Sequence, residues 1–381
     1  MKHASKTVRR ILEQCHQCGI CAEHCDHLQS FADGNLSSIA GALTDGDSSE
    51  GLIDFILECS LCGLCRNVCP EQLDIPRMVR DARYTFIESG ITDPQQYRFL
   101  WVDHDWYFFS IFRDNYGLND RYAHLLKETC DILFFPGCML SCIGPHMVES
   151  ASQWLSRSGD SVGILLDCCG APLFQIGLYE RFEDYTAKLY RKIKETGARQ
   201  VITACPTCHA HLIQTFKPQN DVEIISLFKL MAESGLKAPV VGDGTVTVHD
   251  SCSDQNGEIG KHIRKLLTNY ELREMVHHGT ETICCGSGGI VSAVNPELCE
   301  VRAQTRLNEV VDCRAETCIT YCMSCAHRLA VQADTKGVGH ILELIFDEWV
   351  DHKKFNDLAG AMWDGELGEK NAERLQGSKI E

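Results

Sequence analysis

Of the 23 cysteines in this chain, eighteen fall into four sets that use only two spacings, and any fold must gather each set. Cys15, Cys18, Cys21 and Cys25 repeat as Cys59, Cys62, Cys65 and Cys69. Cys138, Cys168, Cys169, Cys205 and Cys208 repeat as Cys252, Cys284, Cys285, Cys322 and Cys325. A disulfide framework suits a short secreted chain, whereas 381 residues with 44% hydrophobic content form cores without staples. The start, Met1-Lys2-His3-Ala4-Ser5-Lys6, carries no apolar export segment. No run approaches the roughly 18 apolar residues of a membrane span. A reducing, cytoplasmic setting is expected, with a place at the inner membrane only through a partner. The formal net charge of −17 argues against a nucleic-acid binder, which carries basic stripes.

The longer spacing marks a duplication. Cys138 to Cys252 is 114 residues, Cys168 to Cys284 is 116 and Cys205 to Cys322 is 117. A solenoid repeats every ~20–50 residues, so this lag means two copies of a domain. Short apolar runs at 131–135, 162–166 and 201–203 lead into the cysteines of the first copy. Runs at 245–248, 282–283 and 318–320 do so in the second. Helical periodicity lies between them, at 146–158, 178–196, 258–269, 296–311 and 323–332. This alternation predicts a small α/β layer in each copy, with the cysteines at one sheet edge.

Five regions result: 1–82 with the short-spaced sets, an aromatic connector at 83–130, the copies at 131–240 and 241–350, and a polar tail at 351–381. Tyr97, Phe99, Trp101, Trp106, Tyr107, Phe108, Phe109, Phe112 and Tyr116 of the connector read as core packing, with a docking surface as the alternative. The tail, with Trp363 in polar surroundings, reads as disordered or as binding a neighbour.

Cys-x2-Cys-x2-Cys-x3-Cys is the spacing of bacterial two-cluster ferredoxins, whose fourth cysteine serves the other cluster. That crossing predicts one cubane [4Fe–4S] cluster on Cys15, Cys18, Cys21 and Cys69, and another on Cys59, Cys62, Cys65 and Cys25. Zinc usually takes two separated pairs. His16, His24 and His27 are then neighbours of the ligands or exposed.

The motifs Pro136-Gly137-Cys138, Cys168-Cys169-Gly170-Ala171-Pro172-Leu173, Cys205-Pro206-Thr207-Cys208, His249-Asp250-Ser251-Cys252 and Cys284-Cys285-Gly286-Ser287-Gly288-Gly289 give the chain a family resemblance. Over residues of about 10–345 it resembles the catalytic subunits of heterodisulfide reductases, in which a ferredoxin-like domain is fused to two CCG cysteine-rich domains. The resemblance implies a mixed α+β and α/β fold: a mainly helical N-terminal two-cluster domain followed by two tandem α/β CCG domains. It also implies a non-cubane [4Fe–4S] cluster on each five-cysteine set, the pair flanking the disulfide to be split. Zinc or a simpler cluster in one set is the alternative. Independently of that likeness, five thiolates exceed what one cubane or one zinc uses.

The function expected is an iron–sulfur oxidoreductase subunit that reduces or forms a small disulfide. The alternative is an electron-relay subunit of a flavin-dependent glycolate, lactate or glycerol-3-phosphate dehydrogenase that delivers electrons to a quinone. The chain has no flavin or pyridine-nucleotide motif. A partner must therefore exchange electrons with it: a flavoprotein, a hydrogenase or formate-dehydrogenase module, or a membrane quinone or cytochrome subunit. His209, His211 and His327 are candidate proton donors to a leaving thiolate, with simple packing as the alternative. His249 and Asp250 are candidates for orienting the loop of Cys252. Cys142 is a candidate extra ligand, and Cys130, Cys299, Cys313 and Cys318 read as inert buried thiols. Arg328 is a candidate anion contact.

Overall fold

Three capped helices build the N-terminal region of the computed structural model, which describes residues 5–31, 34–216, 221–333 and 337–377. Ser5 caps Lys6–Gln14, Asn35 caps Leu36–Asp45 and Asp74 caps Ile75–Glu88, each side chain accepting from backbone N–H groups of the first turn. Their apolar stripes, with Leu52 and Phe55 of helix Glu50–Glu58, bury one core around Ile11, Ile39, Met78 and Phe86. The cysteine loops run over this core, each turning through a left-handed glycine (Gly19 at φ 80°, Gly63 at φ 83°) that starts a four-residue helix.

Each duplicated copy folds around a four-stranded parallel sheet. The first comprises β1 (Ile132–Phe135), β2 (Val162–Ile164), β3 (Gln200–Thr203) and β4 (Glu223–Ser226), in the order β2-β1-β3-β4. The second comprises β5 (Thr245–His249), β6 (Glu271–Leu272), β7 (Thr317–Thr320) and β8 (Val338–His340), in the order β6-β5-β7-β8. Burial of both faces explains their continuous apolar runs, such as Ile-Leu-Phe-Phe in β1. All strands point the same way, so the loops that follow them meet at one edge.

Two expectations need correction. The 282–283 run forms no strand; β6 lies earlier, and residues 273–283 bridge it to Cys284. The equivalent bridge in the first copy is only residues 165–167. The tail is also ordered over its described part. His352–Ala361 and Gly365–Gly377 are helices. They bury Phe355 and Met362 in the core that the two sheets share, and Trp363 packs at its edge. Tyr116 donates to the Leu358 carbonyl at 2.6 Å, Arg98 to that of Leu375 at 2.7 Å, and Arg374 lies 4.2 Å over the Trp106 ring. The tail's neighbour is thus the aromatic connector, whose twelve aromatic residues are buried or half-buried. Among the described residues no helix is long and apolar enough to cross a membrane.

Candidate metal centres

The short-spaced loops enclose two hollows. One, of about 260 Å³, is lined by Cys15, Cys18, Cys21 and Cys69, together with His16 and Glu71. The other, of about 190 Å³, is lined by Cys25, Cys59, Cys62 and Cys65. The fourth cysteine of each loop thus lies in the other loop's hollow. All 23 cysteines are free thiols. Burial, reinforced by Cys15, Cys69 and Cys18, pushes the Cys21 thiol up to about 11; burial and neighbouring cysteines raise Cys65 further. A cage of buried sulfurs at this spacing holds thiolates only around a cationic centre. The donor set therefore fits iron–sulfur clusters. Cys18 is exposed, so the first hollow opens at the surface. The helices Ile20–Glu23 and Leu64–Asn67, which carry Cys21 and Cys65, pack together, which makes the hollows neighbours.

In the first long-spaced set the thiols of Cys138, Cys168, Cys169, Cys208 and Cys205 neighbour one another in that order. In the second, those of Cys252, Cys284, Cys285, Cys325 and Cys322 follow the same order. The sulfurs of Cys285 and Cys325 are 3.2 Å apart. The neighbouring thiols of Cys168 and Cys208 hold Cys169 well below the thiol range; those of Cys252 and Cys285 do the same to Cys284, and that of Cys325 lowers Cys322 to about 7. The Gly286 and Gly288 N–H groups also donate to Cys284 Sγ, both at 3.3 Å. Gly137 (φ 85°) closes the first set, because a Cβ there would stand 3.0 Å from Cys205 Cβ and 3.3 Å from Cys208 Sγ.

Both sets face a single cleft of about 190 Å³. Its wall includes all five cysteines of the first copy, with Cys252, Cys285, Cys322 and Cys325 of the second. Thr207 and Ser253 join the copies across it, their hydroxyls 2.8 Å apart. Ser60 and Leu61, from the second short-spaced loop, also line the wall.

The same loop brings a second-copy cysteine to its own hollow. Cys284, His277 and Arg302 line the hollow of Cys25, Cys59, Cys62 and Cys65. The approach depends on glycine: a Cβ on Gly288 would lie 2.5 Å from the Ser60 carbonyl oxygen, and one on Gly289 2.6 Å from that of Cys59. Arg302 donates to the Glu58 carbonyl at 3.0 Å and to Ser60 Oγ at 2.6 Å, placing its charge beside Cys25 and Cys284. Gln255 donates to the carbonyls of Cys62 (3.0 Å) and Cys252, and Arg66 donates to Gln255.

Of the residues lining the cleft, none is His209, His211 or His327. His209 Nδ1 lies 3.0 Å from Thr203 Oγ1, and burial and then Lys229 lower its pKa to about 4. His211 packs edge-on to Phe174 and Phe182 and lines an outer groove; burial outweighs the nearby Cys169 and lowers its pKa. His327 packs tilted against His352 and edge-on to Phe355, with its pKa lowered to about 4 by burial and then by His352. Cys142 is buried beside Cys138 and donates to the Phe109 carbonyl; burial raises its pKa to about 12. Asp250 is clamped by Arg264 at 2.8 Å and accepts from the Gly279 N–H, which ties the 273–283 bridge to β5. Arg302, Ser60 and His277 carry no sequence signal of their own, since their partners lie far along the chain.

Residues 11–73 match the 4Fe-4S dicluster domain, and residues 132–213 and 246–330 each match the cysteine-rich domain. The chain is 24% identical over 299 residues to an uncharacterised iron–sulfur protein of Methanocaldococcus jannaschii, covering 75% of this chain and 59% of that one. It is 26% identical over 309 residues to a subunit of the fumarate reductase (CoM/CoB) of Methanothermobacter marburgensis, covering 75% and 60%. Both relatives are longer, and the chain spans about three fifths of each. To a subunit of the dihydromethanophenazine:CoB–CoM heterodisulfide reductase of Methanosarcina mazei it is 23% identical over 323 residues, covering 77% of either protein. The fold is similar to that of a hypothetical protein from Helicobacter pylori, with a TM-score of 0.52 at 10% identity, over 93% of this chain and 75% of that one.

Proposed function

We propose, for a chain that belongs to the iron–sulfur proteins joining a 4Fe-4S dicluster domain to two cysteine-rich domains, an oxidoreductase subunit that splits or forms a small disulfide between its two cysteine-rich sets. The observation that carries this reading is the single cleft walled by cysteines of both copies. Two cubane clusters would be held by Cys15, Cys18, Cys21 and Cys69, and by Cys59, Cys62, Cys65 and Cys25. The ten cysteines of the longer sets would hold two further clusters of non-cubane type. Bound there, the clusters supply one-electron transfer and, at the cleft, iron open to sulfur.

The chain's own residues set the rest. A disulfide takes two electrons and two protons to give two thiols, and two facing sets offer one electron each. The cleft is small and mixes Phe109, Met139 and Pro172 with serine and threonine hydroxyls, which suits a short thiol arm. Thr207 and Ser253 offer the hydroxyl pair that carries protons to the leaving sulfurs. Exposed Cys18 marks where a redox partner docks, and Cys284 beside Cys62 marks where electrons leave the dicluster domain.

That same series arrangement favours a second reading, an electron relay serving a flavin dehydrogenase. Anaerobic holoprotein with reduced viologen separates the two. The disulfide reading expects turnover of a small-thiol disulfide and an EPR signal that appears only with substrate. Restored electron flow to a flavin dehydrogenase without either effect would sink it.

A further inference from the structure

The two copies are least alike at one position beside the sulfurs. Phe135 ends β1 and His249 ends β5, three residues before Cys138 and Cys252. Each pairs across its sheet with the threonine that precedes the Cys-x-x-Cys motif, Phe135 with Thr203 and His249 with Thr320. They occupy the same place, yet one is a hydrocarbon ring and the other a hydrogen-bonding ring. Both are buried, at 0% and 1% exposure.

His249 is held in one chemical form. Arg306 Nε donates to its Nδ1 at 3.1 Å. Arginine has no acceptor, so Nδ1 must present its lone pair and the neutral ring carries its proton on Nε2. Arg306 is itself fully buried, and its Nη1 donates to Glu309 at 2.6 Å. Glu309 in turn lies 2.6 Å from His277, which lines the neighbouring hollow. This chain of contacts fixes the ring from behind. In front, Nε2 has no protein partner. A ring nitrogen of His249 and the sulfurs of Cys285 and Cys325 lie within 4.8 Å of one another. A buried N–H on a ring this close to sulfurs is costly unless something accepts from it.

We propose that His249, locked by Arg306 as the Nε2–H form, is a positioning residue that donates a hydrogen bond into the sulfur cage of the second set. This makes the second set easier to reduce than the first, where Phe135 offers no donor. The inference rests on the reading that both sets hold clusters. Reduction adds negative charge to the sulfurs, and an N–H donor stabilises that state more than the oxidised one. A ring whose Nε2 carries a proton is not a ligand, so the cluster should survive its loss.

The test is an EPR-monitored redox titration of anaerobic holoprotein, comparing His249→Phe and His249→Gln with the unaltered chain. For His249→Phe, iron and sulfide content should be unchanged. At the wild-type midpoint the reduced-to-oxidised ratio of one non-cubane signal should fall about tenfold, which is about 59 mV for a one-electron couple. The cubane signals should stay put. His249→Gln retains a side-chain N–H and should recover part of the shift; it also carries the test if the phenylalanine variant fails to fold. With histidine labelled by nitrogen-15, the shifted signal alone should show a weak nitrogen coupling. An unmoved midpoint with iron intact would overturn the proposal. So would iron loss in both variants, or a coupling of the strength of a direct ligand. Absence of a cluster from the second set of the unaltered chain would instead defeat the functional reading beneath it.

Discussion

The two cysteine-rich domains share a sheet order, a thiol order and a cleft, but they sit in different electrical surroundings. The first set is backed by aromatic residues: Tyr185 donates to the Cys168 carbonyl at 2.8 Å, and Phe135 closes the sheet edge. The second is backed by charge and donors, with Arg302 beside Cys284 and the pair Arg306 and His249 beside Cys285 and Cys325. Both domains pack on the dicluster helices, but only the second set has a cysteine, Cys284, among the described residues lining a dicluster hollow. The copies keep equivalent cages, and the residues around them have diverged.

Removing one cysteine from each copy puts that difference under the greatest strain. Cys284→Ala should strip iron from the second set and slow electron transfer beyond the cubane clusters on the order of 100-fold or more, by analogy with the smaller losses seen when only a ligand's support is removed. Cys168→Ala should empty the first set and leave reduction of the second at its normal rate. Iron analysis with stopped-flow bleaching reads both, and equal transfer defects would erase the distinction.

Gly288 and its counterpart Pro172 sharpen it further. A Cβ on Gly288 meets the Ser60 carbonyl oxygen at 2.5 Å, so Gly288→Ala should destabilise the protein by about 1–3 kcal/mol and slow transfer into the second set. Pro172→Ala removes ring atoms without such a clash and should cost less than about 1 kcal/mol, with no change in that rate. Urea unfolding of the anaerobic holoprotein gives the first quantity.

How much of this was readable beforehand follows from how local each signal is. Cysteine spacing is a local requirement, so the four sets, the crossing arrangement of Cys25 and Cys69 in the hollows, and the strand ends at 135, 203 and 320 were visible in the chain. The 282–283 run looked like a strand because it is β-branched, but the 273–283 bridge is anchored instead through Thr282, which donates to the Asp250 carbonyl at 2.9 Å. The tail's order was hard to read because few residues, chiefly Phe355 and Met362, anchor its two helices in a core made elsewhere, whereas its packing on a neighbour was among the alternatives. The exchange of Phe135 for His249 is plain once the copies are aligned. Its meaning depends on Arg306, 57 residues away, and no spacing rule connects the two.

The smallest effect concerns pH. His340, on β8, stands opposite Thr320 where the first copy has Ser226 opposite Thr203. Burial lowers its pKa to about 3. The unfolded chain takes up that proton near 6.5 and the folded chain does not, so the unfolded state binds more protons below that pH. Stability should therefore fall as pH drops below about 6.5, by at most about 1.4 kcal/mol per unit from this group. His340→Gln should flatten the dependence in urea titrations between pH 7 and 5. An unchanged slope would show that His340 takes up its proton in the folded protein.

The claim that both cysteine-rich sets are paired redox sites stands or falls on metal content. Anaerobically purified protein should contain about sixteen irons and as many acid-labile sulfides per chain, four for each set, with no zinc. About eight irons accompanied by zinc would contradict it, leaving a two-cluster conductor attached to structural metal sites.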